Sequence, residues 1–296
     1  MLAVRGKRVL LSIHIALNAV WIGAIAIILF LLLGKDDVPN GDQLSALHST
    51  IFTIHDTVVM NVALLSAVTG ILFSLFTNWG FFRFRWIIVK WASVSALCLL
   101  MTLNIAPALN GMAAMTDVER NEALVNPLYR QYESESIIFL FLELAGLISI
   151  IPVSVFKPWG QRTTSFHVER RKFLIGWSIV GGLLIVGAYI QQTNLEAYRN
   201  LVAEQFDLSK SVDGKYIGEA EYGFRYVVRV TIDRHSIKDI EFLENRSTIY
   251  AKLAEGVAKK VIRDQNLQMA AVTGATTTSK CLTKAIENAV ARSLAL

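Results

Sequence analysis

Residues 9–33 read VLLSIHIALNAVWIGAIAIILFLLL, and this stretch decides the fold class. About 20 helical residues are enough to cross a hydrocarbon core roughly 30 Å thick. Arg5, Lys7 and Arg8 precede the stretch, as basic residues precede a signal peptide. The apolar run is longer than a signal-peptide core, however, and no small-residue cleavage site follows it. The stretch therefore predicts a retained membrane-spanning helix.

Apolar residues cluster in the same way further along the chain. The protein has 296 residues, of which 53% are hydrophobic, and its mean hydropathy is +0.45. These values are too apolar for an ordinary soluble protein. We therefore expect an α-helical membrane domain over residues 1–190 with about five transmembrane helices. The predicted spans are residues 9–33, 51–77, 86–110, 136–156 and 173–190.

Charge alternates between the segments that connect these spans. Basic residues accumulate on the cytoplasmic side of membrane proteins, so the pattern predicts a cytoplasmic N-terminus and an extracytoplasmic location for everything after Ile190. The chain has a net charge of +5, and its basic residues lie in these flanks. The charge therefore does not indicate a nucleic-acid partner, and the expected partner is the lipid bilayer. The basic flanks contain Arg5, Lys7, Arg8, Arg83, Arg85, Lys90, Lys157, Arg162, Arg170, Arg171 and Lys172; the acidic ones contain Asp36, Asp37, Asp42, Asp117, Glu119, Glu122, Glu133 and Glu135.

Polar residues inside the spans are costly in a bilayer, which makes them candidates for function. A quinone or proton-handling pocket would use His55, Asp56 and Glu143. A b-type haem would need two imidazoles, but His48 and His55 lie on one helix face and His14 is expected near the opposite surface. The simplest interpretation is hydrogen bonding between helices. The polar residues within the spans are His14, Asn18, His55, Asp56, Asn61, Asn104 and Glu143.

The composition changes after Ile190. Residues 191–210 predict a short amphipathic stalk helix or linker, and residues 211–296 predict a small α+β domain. We expect antiparallel strands at residues 215–221, 225–233 and 236–243, followed by helices at residues 248–263 and 278–293. The sequence contains no metal-ligand cluster and no nucleophile–base pair, so no catalytic residues are predicted and hydrolase chemistry is disfavoured.

Between the last two predicted helices lies the segment AVTGATTTSK, residues 271–280. Gly274 permits a backbone conformation that other residues resist, and Ala275 leaves room for a bulky group. Thr276 would present a hydroxyl at a helix N-terminus, which favours a phosphate. Thr278 and Ser279 are predicted N-caps. A capped helix that binds no ligand would explain the same residues.

Residues Thr273-Gly274-Ala275-Thr276 resemble the Ser/Thr-Gly-Ala-Thr flavinylation motif of the FMN-binding domain family. This family includes covalently flavinylated components of the sodium-pumping NADH:quinone reductase and of the related Rnf complex. Residues 213–218, DGKYIG, resemble the opening strand of the family, and the resemblance covers residues 212–292. The chain departs from the family at Ala270, where an aspartate is common. It departs again at residues 222–223, a reduced glycine-rich stretch, and at residues 244–248, which replace a segment near the flavin ring.

The resemblance implies that Thr276 is joined to FMN by a phosphoester bond, made from FAD by an extracytoplasmic flavin transferase. It implies an FMN site formed by Thr273, Gly274, Ala275, Thr276, Thr277, Thr278 and Ser279.

The predicted function is electron transfer between a membrane donor (quinol, cytochrome or flavoprotein) and an extracytoplasmic acceptor. Such a protein could be one component of an oxidoreductase complex or could itself oxidise quinol in the membrane domain. The alternative is a membrane sensor or assembly protein whose domain carries no flavin.

Overall fold

The computed structural model describes residues 3–160, 196–268 and 271–295. The chain forms two compact units. The first comprises Met1–Met112 and Asn121–Glu169, and the second comprises Ala113–Arg120 and Arg170–Leu296.

Long helices make up the first unit, and two of them are interrupted by π-helical segments. Ile54–Val59 joins α2 to α3, and Met101–Ile105 joins α4 to α5, without a break in the helical path. The helix α5 starts in the first unit, and its last two turns belong to the second. The helices are α1 (Val4–Leu33), α2 (Gly41–Thr53), α3 (Met60–Phe76), α4 (Arg85–Leu100), α5 (Ala106–Glu119) and α6 (Pro127–Phe156).

Four helices within the described residues are long and apolar enough to cross a membrane. They are Val4–Leu33, Gly41–Phe76, Arg85–Val125 and Pro127–Phe156. Each overlaps one of the first four predicted spans, and the second predicted span ends one residue beyond Phe76. Each helix also extends beyond its predicted span into residues that the apolar run does not include. The fifth predicted span, residues 173–190, lies outside the described residues.

The buried face of α1 organises the first unit. Trp21, Ile25, Ile28 and Leu32 are fully buried at helical spacing, and α1 packs against α3, α6 and the π-helical segment Ile54–Val59. The N-terminus of α6 is capped by Asn126, whose side chain accepts a hydrogen bond from the Leu128 amide at 3.0 Å.

A three-stranded antiparallel sheet forms the centre of the second unit, as the sequence predicts. Its strands are β1 (Gly214–Glu221), β2 (Arg225–Asp233) and β3 (Ser236–Glu244), in the order β1-β2-β3. The final helix α9 (Thr276–Leu294) packs against β1 and β2. Alternating apolar residues of β2 and one face of α9 share this core.

The helix predicted at residues 248–263 is two helices, α7 (Ile249–Ala254) and α8 (Val257–Asp264). The break falls at Gly256, where a Cβ atom would lie 2.7 Å from Cγ2 of Val118. Glycine at this point allows close packing against the end of α5. The single-helix prediction was wrong because the amides of Glu255, Gly256 and Ala258 donate to carbonyls three residues earlier, which interrupts the α-helical bonding.

The predicted stalk helix also differs from the structure. Within its described part, residues 196–199 are helical and the chain then runs without regular structure to a short 3₁₀ turn at Leu208–Lys210. Ala203 is buried in the core of the second unit, and the Gln205 side chain accepts a hydrogen bond from the Leu267 amide at 3.1 Å. These tertiary contacts replace helical hydrogen bonds, so this part of the segment is an integral strap of the domain.

Glycine is required where β1 meets α9. A Cβ atom on Gly218 would clash with the carbonyl oxygen of Ala285 and the amide of Ala289. The glycine that closes the sequence DGKYIG thus allows backbone-to-backbone packing of strand and helix. Beneath this contact, Cys281 is buried, and burial raises the pKa of its thiol to about 11. Cys281 therefore packs as a neutral apolar side chain.

Candidate functional site

A tight turn brings the chain into the N-terminus of α9. The Ala275 amide donates to the Val272 carbonyl at 3.0 Å, and Gly274 adopts a φ of 77°. A side chain at that φ is strained, which confirms the prediction that position 274 requires glycine. Ala275 is 5% exposed and belongs to the hydrophobic core, so its side chain anchors the turn to that core.

The helix α9 begins at Thr276, two residues earlier than predicted. Ala275 occupies the N-cap position without a side-chain cap, so the prediction that Thr278 and Ser279 are N-caps was wrong. Both lie buried in the first turn. The Ser279 hydroxyl accepts a hydrogen bond from the Val272 amide at 3.2 Å and donates one to the Ala275 carbonyl at 2.9 Å. Ser279 therefore closes the turn onto the helix.

Thr276 and Thr277 are half-buried at the first two positions of this 19-residue helix. Within the described part of the chain, the Thr276 hydroxyl has no hydrogen-bond partner. The first amides of a helix also lack intrahelical acceptors, and the helix dipole places partial positive charge there. A free hydroxyl thus stands where backbone groups favour an anion.

A carboxylate from the distant helix α5 holds the other end of the turn. Asp117 Oδ2 accepts hydrogen bonds from the Thr273 amide at 2.8 Å and from the Thr273 hydroxyl at 2.9 Å. These bonds orient the residue that precedes Gly274. Asp117 is only 7% exposed, so water competes weakly for its oxygens.

Lys260 of α8 completes this arrangement. Its ammonium group lies 3.0 and 3.1 Å from the two carboxylate oxygens of Asp117 and donates to the Ala271 carbonyl at 2.8 Å. One buried ion pair thus engages both Ala271 and Thr273. Sequence reasoning missed this pair: Asp117 was counted only among the acidic flanking residues, and Lys260 only as part of a predicted helix.

Residues 244–248, where the chain departs from the FMN-binding domain family, position the helix α7. The Thr248 hydroxyl caps α7 by accepting from the Ala251 amide at 3.2 Å, and the Asn245 side chain donates to Glu255 Oε1 at 2.9 Å. The Arg246 guanidinium lies 4.2 Å from the centre of the Phe224 ring. These contacts fix the beginning of α7.

Several of the polar residues in the membrane-spanning helices of the first unit form hydrogen bonds. His14 contacts the Thr69 hydroxyl at 2.6 Å, and His48 contacts the Tyr129 hydroxyl at 2.9 Å. Asn18 and Asn61 each donate to a carbonyl one turn earlier in the same helix. Asn104 lies half-buried in the second π-helical segment.

Of the three residues predicted to form a quinone or proton site, His55 and Glu143 are buried whereas Asp56 is exposed on the helix surface. The structure therefore separates Asp56 from the other two. Among the described residues, no group of three or more histidine, cysteine, aspartate or glutamate side chains is arranged to hold a metal ion.

Comparison with known protein families gives a match within the second unit. The family model of the FMN-binding domain matches residues 222–291. This part of the chain is an FMN-binding domain. The match runs from the turn before β2 to the last turns of α9, and it includes the whole of the 271–280 segment. Searches of curated proteins and of solved structures each gave no match.

The N-terminus of α9 in the FMN-binding domain fits the phosphate of FMN. It offers the amides of a helical first turn, a half-buried hydroxyl on Thr276 and a glycine whose lack of a side chain allows close approach. FMN supplies redox chemistry when bound. The residues of this chain supply the Thr276 hydroxyl and the Asp117–Lys260 pair that fixes the loop.

Proposed function

We propose that this protein is a multi-pass membrane flavoprotein that carries FMN on Thr276 through a phosphoester bond, in a domain outside the cytoplasm. The observation that carries the proposal is the position of Thr276. Thr276 is half-buried at the first residue of α9, its hydroxyl has no partner among the described residues, and it lies next to a turn held by Asp117.

Attachment would proceed by phosphoryl transfer from FAD, catalysed by an extracytoplasmic flavin transferase. The Thr276 oxygen forms a bond to the phosphorus of the FMN half, the pyrophosphate bond breaks, AMP leaves and the threonine loses its proton. The first amides of α9 would stabilise the charge on the FMN phosphate. Thr273, Gly274 and Ala275 would fix the approach to Thr276, and Thr277, Thr278 and Ser279 would form the first turn beneath the phosphate.

The placement outside the cytoplasm has two lines of support. The alternation of basic and acidic flanks puts the connection between α5 and α6 on the outer side. The end of α5, Ala113–Arg120, belongs to the same compact unit as the FMN-binding domain. Asp117 in this part of α5 accepts hydrogen bonds from Thr273 of the FMN-binding domain, so the acidic connection and the domain would share one compartment.

Electron transfer is the function that fits this arrangement. A flavin accepts two electrons and can release them one at a time, and covalent attachment prevents its loss to the surroundings. A membrane donor, which could be a quinol, a cytochrome or another flavoprotein, would reduce the FMN, and an extracytoplasmic acceptor would oxidise it. The protein contributes orientation and tuning of the flavin.

Flavinylation can be tested by co-expressing the protein with a flavin transferase. We expect in-gel flavin fluorescence and a mass increase equal to one FMN phosphoester in the wild type. Thr276→Ala should lose both signals because no acceptor oxygen remains, whereas Thr276→Ser should retain them in part. A wild-type chain that stays unmodified while the transferase modifies a control target would support the sensor or assembly alternative.

A further inference from the structure

Three buried side chains of the first unit have polar atoms without a hydrogen-bond partner among the described residues: His55 Nε2, Ser136 Oγ and Glu143 Oε2. Their exposed fractions are 1%, 0% and 0%. An unpaired polar group in an apolar environment is destabilising, and a bilayer offers no water to relieve it. A bound ligand with polar atoms would satisfy these groups.

The register of two helices places His55 and Ser136 at one depth. Short connections make consecutive spans alternate in direction, so the helix of α2 and α3 runs parallel to α6. The 2.9 Å contact between His48 and Tyr129 sets these two helices level. His55 follows His48 by seven residues, and Ser136 follows Tyr129 by seven residues. Seven residues make two helical turns, or about 10 Å.

Glu143 lies two further turns along α6, again about 10 Å deeper. Its Oε1 accepts a hydrogen bond from the Trp21 indole at 2.9 Å, which leaves Oε2 for another partner. The helix α1 packs against both α6 and the π-helical segment that contains His55. The unpartnered groups therefore belong to elements that meet at α1.

His55 also lies in the π-helical segment Ile54–Val59. π-helical turns cost stability and are frequent at functional sites. The surroundings are apolar, because Ile51, Val59 and Leu140 are all buried at this level. A ligand here would be a flat apolar ring with polar atoms at its ends.

We propose that His55, Ser136 and Glu143 bind the head group of a membrane quinol. The two oxygens of a quinol ring, with a hydrogen bond of about 2.8 Å at each end, span roughly 11 Å. This length matches the axial step between the His55–Ser136 level and Glu143. One quinol oxygen bonds to His55 Nε2 and Ser136 Oγ, and the other bonds to Glu143 Oε2.

The site deepens the proposed function, on which it rests, by naming the electron donor. Oxidation of the quinol to the quinone releases two electrons and two protons. The protons pass to the imidazole of His55 and the carboxylate of Glu143. The two electrons would pass to FMN, whose reduction would also take up two protons from the aqueous side. The exposed Asp56 takes no part.

The decisive experiment adds a reduced short-chain quinone, without oxygen, to the full-length flavinylated protein in lipid nanodiscs. We expect the quinol to bleach the flavin absorbance, at a rate at least tenfold lower in Glu143→Gln and in His55→Gln, and severalfold lower in Ser136→Ala. Ser149→Ala is the matched control, because its exposed hydroxyl bonds only to a carbonyl of its own helix. Its rate should stay within twofold of the wild type.

Binding of the oxidised quinone to Thr276→Ala protein provides a readout that needs no flavin. Saturable binding that Glu143→Gln weakens at least fivefold would support the site even if flavinylation failed. A flavin that dithionite reduces but no quinol reduces would overturn the inference. Equal rates in Glu143→Gln and Ser149→Ala, or an equal loss in Asp56→Asn and Glu143→Gln, would also overturn it.

Discussion

Asp117 acts on a residue 156 positions further along the chain. Its carboxylate faces the Lys260 ammonium at 3.0 Å, and the two side chains are each 10% exposed. Breaking a buried ion pair by neutralising one partner is costly because a charge is left without compensation. The structure of the loop at residues 271–275 should therefore be sensitive to the loss of either charge.

Replacing Asp117 by asparagine should lower both the stability of the protein and its flavin content. The amide oxygen of the new side chain could still accept from Thr273, but Lys260 would keep an unpaired buried charge, at a cost of about 3 kcal/mol. We expect a lower Tm and at least a fivefold drop in in-gel flavin fluorescence at equal protein load. The double variant Asp117→Asn/Lys260→Met should recover stability because no charge remains unpaired.

Glu119→Gln is the matched control for Asp117→Asn. Glu119 pairs with Lys259 at 2.8 Å, but Lys259 is 67% exposed, and exposed pairs contribute about 0–1 kcal/mol. Its flavin content should equal that of the wild type. Wild-type flavin content in Asp117→Asn would show that the carboxylate does not position the loop.

At the scale of elements, the contact between β1 and α9 depends on the absence of one side chain. Gly218→Ala would force the Cβ atom into the backbone of α9 at Ala285 and Ala289. Overpacking of this kind costs about 1–3 kcal/mol, and here the obstacle is backbone, which cannot rotate away. We expect a loss in the upper part of that range, measured by urea unfolding of the full chain in detergent.

Gly223→Ala distinguishes this effect from a general sensitivity to glycine replacement. Gly223 has a φ of 69°, so strain is expected, but its Cβ would meet only the Tyr198 hydroxyl at 3.4 Å. The loss should be about 1 kcal/mol, because a turn can relax. A Gly218→Ala protein as stable as the wild type would contradict the packing described for β1 and α9.

An element could be predicted when the residues that determine it lie close together in the sequence. The strands β1, β2 and β3 were found because their alternation of apolar and polar residues is local. The break at Gly256 and the strap around Ala203 were missed because contacts with distant residues impose them. The π-helical segments were missed because one extra residue in a turn leaves the apolar pattern almost unchanged.

The functional site shows the same division. Thr276 could be proposed as a site residue from the sequence because motif and hydroxyl lie within a few residues. Asp117 could not, because nothing in the α5 sequence indicates what its carboxylate contacts.

For the whole molecule, the central expectation is that the acidic connections and the FMN-binding domain lie on one side of the membrane. Single cysteines at Asp37, Glu122 and Lys238, in a background without Cys98 and Cys281, should react with a membrane-impermeant maleimide in intact cells. A cysteine at Asn78 should react only after the cells are opened. Labelling of Asn78 but not of Lys238 in intact cells would invert the proposed orientation.

The bond between Asp117 and Thr273 has a consequence for biogenesis. The segment proposed to receive the cofactor is shaped by the end of a helix synthesised 156 residues earlier. A truncated domain produced on its own would lack that carboxylate and should be a poor substrate for the transferase. Cofactor loading would then report that the preceding helices have been inserted and folded, which makes it a checkpoint of maturation.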